Sequence, residues 1–187
     1  MKAKFKISLI RPALPGYTAL SNMPVEGDEI PYGPELIQTN FMESVPMSTY
    51  LTVFIVSDFE SIQNTFTPSV GGELTVRAFA TPAQKKKLEY ALKTAVAVIK
   101  YYITYFNIEF PLPKLDMAAI PDFVSGAMET WGLVTYRETA LLYDVNVSST
   151  ANKQRVNGVI AHEFAHMWFG NLVTMKWVRF MIYLFNK

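Results

Sequence analysis

The chain has 187 residues, 50% of them hydrophobic, and a formal net charge of +1. That is enough apolar material for one globular domain or pieces of two, and too little basic excess for an electrostatic grip on nucleic acid. It contains no cysteine, which excludes a disulfide framework and thiolate ligation, so any metal must be held by His, Asp or Glu.

The N-terminal MKAKFKISLIRP meets Pro12 too early for the apolar core of a secretory signal and reads as a strand, with Phe5, Ile7 and Leu9 on one face. A loop rich in Pro, Gly and acidic residues leads to a second, more continuously apolar strand over Tyr50 to Val56. We place a domain boundary near Glu60. Gly71-Gly72 is a turn signal before a third strand, in which Leu74, Val76 and Ala78 alternate with Thr75, Arg77 and Phe79.

Thr81-Pro82 starts a helix, with Thr as cap and Pro at the first helical position. Leu88, Leu92, Ala95, Ile99, Ile103 and Phe106 follow at spacings of three and four and form one buried stripe. The basic run Lys85 to Lys87 is expected on a solvated face, and the aromatic end, YYITYF, in the core. Pro111 and Pro113 break this helix, and LDMAAIP and GLVTYRE read as strands flanking the segment Ser125 to Trp131. A second helix is predicted from about Thr150 to Phe169, with Val156, Val159, Ile160, Phe164 and Met167 as its apolar residues. Gly170-Asn171 closes it as a left-handed cap. The terminal WVRFMIYLF is far shorter than the roughly 20 residues of a membrane-spanning helix and is interrupted by Arg179.

His162-Glu163-Phe164-Ala165-His166 matches HExxH inside that second helix. Four residues apart, the histidines are separated by about 40° around the helix and roughly 6 Å along it, so both imidazoles can reach one zinc ion. Glu163, next to the first histidine, is placed to act as general base on water at that ion. Two core histidines on an amphipathic helix are the bland alternative, but the chain's only two histidines both fall in the motif.

Upstream lies Gly126-Ala127-Met128-Glu129-Thr130-Trp131. A Gly-Ala pair lets a substrate backbone approach a strand edge, and the carboxylate after it can hold an α-ammonium group. From residue type alone, a carboxylate in a turn is ordinarily just solvated.

The stretch PDFVSGAMETWGLVTYRETALLYD, followed by NKQRVNGVIAHEFAHMWFGNLVTMKW, resembles the heart of the aminopeptidase N family, whose paired signature is GAMEN and HExxH. ISLIRP, Ala19 to Pro24 and TVFIVSDF resemble that family too, so the similarity covers Lys2 to Trp177. The resemblance implies an α+β architecture: the C-terminal part of a β-rich N-terminal domain over 1–60, then the first, mixed strand and helix half of a thermolysin-like catalytic domain over 61–187. It implies a zinc exopeptidase acting on peptides with a free N-terminus. His162 and His166 are then ligands of one zinc ion, Glu163 the general base, Glu129 the amine anchor, and Gly126, Ala127 and Met128 the backbone along the substrate.

Three departures qualify that expectation. Thr130 stands where the family signature has asparagine, so the turn loses an amide donor. The family's third zinc ligand, a glutamate, falls at Phe185, which cannot bind a metal, and residues 178–187, VRFMIYLFNK, do not resemble the family. The family's oxyanion-stabilising tyrosine is not found in the 187 residues. Taken literally the chain is therefore expected to be inactive, a non-catalytic product binding peptides weakly at most, with Val159, Phe164 and Met167 left uncovered. A different two-histidine hydrolase is a third class. NKQRV and LLYD look more like membrane-anchored or extracellular ectoenzymes than cytosolic relatives, and Asn146-Val147-Ser148 matches the three-residue glycosylation pattern.

Overall fold

A computed structural model describes residues 1–175; Phe185 and the 178–187 tail lie outside them. The first third is built from short strands: β1 (Lys2–Ala3), β2 (Ser8–Pro12), β3 (Thr18–Ser21), β4 (Ile30–Pro31), β5 (Leu36–Asn40), β6 (Met47–Ser48) and β7 (Phe54–Ser57). They pair antiparallel as β1-β6, β2-β5-β4 and β3-β7. The predicted first strand is split into β1 and β2. Between them Phe5 bonds to Ser44 through its carbonyl and its N–H, the latter to the Ser44 hydroxyl at 2.9 Å. The alternation survives, with Phe5, Ile7 and Leu9 half-buried and their neighbours exposed.

The continuous strand expected over 50–56 is not formed. Thr49–Leu51 is a 3-10 turn, and only Phe54–Ser57 is extended. The cause is a buried side chain. Asn22 donates to the Leu51 carbonyl at 2.7 Å and accepts from the Val53 N–H at 3.0 Å, occupying backbone groups that a ladder would use.

A five-stranded sheet follows, in the order β11-β12-β10-β9-β8, from β8 (Glu60–Phe66), β9 (Leu74–Ala80), β10 (Lys114–Ile120), β11 (Ala127–Met128) and β12 (Leu133–Arg137). Its central strands β9, β10 and β12 are parallel, and the edges β8 and β11 are antiparallel to their neighbours. Parallel neighbours need a crossover, and α1 (Glu89–Phe106) supplies it between β9 and β10. Residues Pro82–Leu88 wind as a 3-10 helix before α1, and Thr81 caps without a side-chain bond. Ala91, Ala95, Ile99 and Ile103 are fully buried, in one core with Leu115, Met117 and Val134 of the sheet. Asn107, at φ +51°, ends α1 in the left-handed region that asparagine tolerates.

The aromatic end of α1 divides between two faces. Tyr102 and Phe106 are half-buried against Trp168, whereas Tyr101 and Tyr105 are 61% and 68% exposed and stack on each other. The core expectation holds only for the first pair, because residues 101 and 105 lie one turn apart on the outward side.

After α2 (Glu138–Leu141) comes α3 (Thr150–Ala165), capped by Ser149, whose hydroxyl accepts from the Asn152 N–H at 3.2 Å. Helical bonding persists beyond Ala165, with the Phe169 N–H on the Ala165 carbonyl at 3.0 Å. Gly170 has φ +139°, not the value near +57° of a left-handed cap, and Asn171 closes the turn by donating its N–H to the His166 carbonyl at 3.0 Å. Phe164 and Met167, expected to be uncovered, are buried in the same core as Ile160 and Trp168. Packing of α3 on α1 and α2 covers them. Among the described residues no helix is long and apolar enough to cross a membrane.

Candidate metal and substrate site

His162 and His166 lie on one face at the C-terminal end of α3, with Nε2 atoms 3.2 Å apart and rings nearly perpendicular. Nitrogens bound tetrahedrally to one zinc ion at about 2.0–2.1 Å sit about 3.3–3.4 Å apart, so the pair is spaced as a zinc chelate requires. His166 Nδ1 lies 3.0 Å from the Phe169 carbonyl oxygen. A carbonyl can only accept, so Nδ1 carries the proton and Nε2 keeps its lone pair for a ligand. A Cβ at position 170 would come within 3.3 Å of His166 Nδ1, and Gly170 leaves that ring its room.

Glu163, between the histidines in sequence, is 6% exposed. Burial, and secondarily the charge of Glu129, push its carboxyl up to about 7. A cation at the two histidines acts in the opposite sense and favours the ionised form. Tyr136 of β12, fully buried, faces the same region: burial and then Glu163 hold its phenol well above its ordinary value.

β11 is the edge of the sheet next to α3, and its one paired neighbour among the described residues is β12, through Ala127–Tyr136 and Met128–Thr135. Gly126 accepts from the Arg137 N–H at 2.9 Å and is exposed, with open space where a Cβ would stand. Glu129 follows β11, half-buried. Its carbonyl accepts from Asn171 Nδ2 at 2.9 Å, which ties this segment to the turn that follows α3. Thr130 is buried and donates its hydroxyl to the Leu133 carbonyl, so it closes its own turn without the amide of an asparagine.

All the residues singled out in the sequence, Gly126, Ala127, Met128, Glu129, His162, Glu163 and His166, thus fall in one region. Sequence reasoning missed three others. Asn171 follows Gly170, and in sequence the pair signals only a helix cap. Asn22 and Lys114 hold the turn after Thr130, and a lysine and an aspartate inside the apolar run KLDMAAI were the available signal for buried ionic contacts. Among the described residues there is no group of three or more His, Cys, Asp or Glu able to hold a metal.

The Peptidase M1 N-terminal domain matches residues 1–51, and the Peptidase family M1 domain matches residues 90–183. The chain is 54% identical over 176 residues to glutamyl aminopeptidase of Rattus norvegicus, 94% of this chain and 18% of that protein. Endoplasmic reticulum aminopeptidase 2 of Bos taurus is 50% identical over 177 residues, covering 94% of this chain and 18% of its own length. Endoplasmic reticulum aminopeptidase 1 of Homo sapiens is 48% identical over 176 residues, with the same coverage. The chain therefore spans about 18% of the length of the curated relatives it matches. With the two family matches spanning most of its length in that order, this α+β chain belongs to peptidase family M1.

Proposed function

We propose that this chain is the part of a zinc-dependent aminopeptidase that contributes two metal ligands, the general base and the amine anchor. The observation that carries the reading is the Nε2 pair of His162 and His166, 3.2 Å apart, beside a buried Glu163 and an open sheet edge ending at Glu129. A zinc ion held by the two imidazoles would supply Lewis acidity and bring the pKa of water to about 7. Residues 176–187 contain no His, Asp or Glu, so the remaining protein ligand is assigned to a parent protein that carries the family's glutamate and tyrosine after Trp177.

The chain's own groups divide the other tasks. Glu129 accepts the α-ammonium of the substrate, which fixes the scissile bond one residue away and makes the enzyme an exopeptidase. The free side of β11 offers backbone groups to an extended peptide in the manner of strand addition, and Gly126 leaves it room. Glu163, ionised once positive charge neighbours it, takes a proton from water and passes it to the leaving amine. As a polypeptide with Phe at 185 and two histidines, the 187 residues are expected to bind zinc weakly and to show no measurable turnover.

Location at a cell surface or in a secretory lumen is part of the proposal. It is supported by the names of the endoplasmic reticulum relatives and by Asn146, exposed in a turn whose N–H is held by Asp144. The test of function is hydrolysis of aminoacyl amides by the protein that bears this segment, compared with their N-acetylated forms. Turnover of free amines alone supports the reading, and equal turnover of both defeats the role of Glu129.

A further inference from the structure

The segment from Glu129 to Leu133 contributes little to the ladder, yet its carbonyls are individually held by side chains. Glu129 is taken by Asn171 Nδ2 at 2.9 Å, Trp131 by Asn22 Nδ2 at 2.8 Å, Gly132 by Lys114 Nζ at 2.8 Å, and Leu133 by the Thr130 hydroxyl. One of these four contacts comes from the N-terminal β region itself, and a second, that of Lys114, is tied to it through the Ser21 carbonyl. Asn22, 1% exposed, is saturated: Nδ2 serves the Leu51 and Trp131 carbonyls, and Oδ1 takes the Val53 N–H. That set of partners fixes the orientation of the amide. Lys114 Nζ also donates to the Ser21 carbonyl at 2.6 Å and pairs with Asp116 at 2.7 Å, and Arg77 holds Asp116 by two further bonds. Burial pulls the Lys114 ammonium below its usual range against the opposing effect of Asp116, so the buried amine depends on these partners. The fit is tight, for a Cβ on Gly132 would lie 2.2 Å from the Asn22 carbonyl oxygen.

We propose that Asn22 is a positioning residue for the substrate-amine anchor, the N-terminal β region holding the Trp131 carbonyl and thereby setting where the Glu129 carboxylate stands relative to the histidine pair. This rests on the role of Glu129 given above. The first β region is then part of the substrate site although none of its described residues need touch the peptide, and peptide binding and inter-region packing are coupled through one amide.

The experiment compares Asn22→Asp with the parent in the protein bearing this segment. The carboxylate keeps the acceptor for Val53 but turns acceptors toward two carbonyls. Two readouts are taken: KM and kcat for an alanyl chromogenic amide, and hydrogen–deuterium exchange of the amides of residues 127–131. The expected result is a rise in KM of about tenfold with little change in kcat, the cost of roughly one lost buried hydrogen bond expressed in substrate binding. Exchange is expected to quicken at 127–131 but not in α3. Asn22→Ser, too short to reach Trp131, gives the same pattern and serves if the aspartate variant does not fold. Unchanged KM with unchanged exchange at 127–131, or faster exchange confined to residues 51–53, overturns the proposal. If the parent itself shows no turnover, the aminopeptidase reading fails separately, and the exchange data still decide whether Asn22 holds the anchor segment.

Discussion

Gly132→Ala should be among the most damaging single changes in the chain, and its cost can be built from the contacts around it. Gly132 has φ +87°, a region in which a β-carbon costs about 1–2 kcal/mol. The new atom would lie 2.2 Å from the Asn22 carbonyl oxygen and 2.9 Å from Leu112 Cδ1. The leucine can turn away, but the oxygen belongs to backbone fixed by the neighbouring Ser21–Lys114 contact. Relief therefore requires the 131–132 turn to move outward, which separates Gly132 O from Lys114 and Trp131 O from Asn22. Each buried group so stranded costs about 1–3 kcal/mol, for a total of at least about 3 kcal/mol. Urea denaturation followed by tryptophan fluorescence measures this directly, since Trp131 is itself buried at the turn. A loss under about 1 kcal/mol would refute the view that the two regions are tightly locked here.

Phe164→Ala removes a fully buried ring from the core that α3 shares with α1 and should cost about 3–5 kcal/mol in thermal or chemical unfolding; a cost below about 1 kcal/mol would show that the helix does not rest on this core. Glu29 provides a pH signature. A hydrogen bond from Thr39, and then Arg11, hold its carboxyl below the ordinary value of 4.5 against the opposing effect of burial. Its contribution is present above the unfolded pKa and is lost as pH falls through the lower folded value. Glu29→Gln should therefore flatten the decline of stability below pH 4.5 relative to the parent, and an unchanged slope there would contradict the pairing.

Much of the site was legible because it depends on local spacing. The i, i+4 histidines and the stripe Ile99, Ile103 on α1 follow from helical geometry, which a sequence displays directly. The strand alternation at Leu74, Val76 and Ala78 was readable for the same reason. What escaped involves partners far apart in the chain. Leu51 looked like strand until Asn22, many residues upstream, took its carbonyl. Lys114 meets Ser21 and Gly132 through geometry that no periodicity encodes. Tyr101 and Tyr105 could have been separated from Tyr102 and Phe106 by their angular positions on α1, had the aromatic run been read residue by residue. The tautomer of His166 is set by the backbone carbonyl of Phe169, a group every residue possesses, so no signal in residue type announces it.

The central claim is that His162 and His166 hold the metal while Glu163 acts on the substrate water, and zinc content and aminoacyl hydrolysis measured together on Glu163→Gln test it most directly. In a parent protein that carries the family's glutamate and tyrosine after Trp177, the variant should keep one zinc per chain, because the ligands are untouched, and lose turnover by about 10² to 10⁴-fold, the contribution of a positioned general base. Loss of zinc together with activity would make Glu163 a ligand, and undiminished hydrolysis with zinc retained would contradict its assignment as the base.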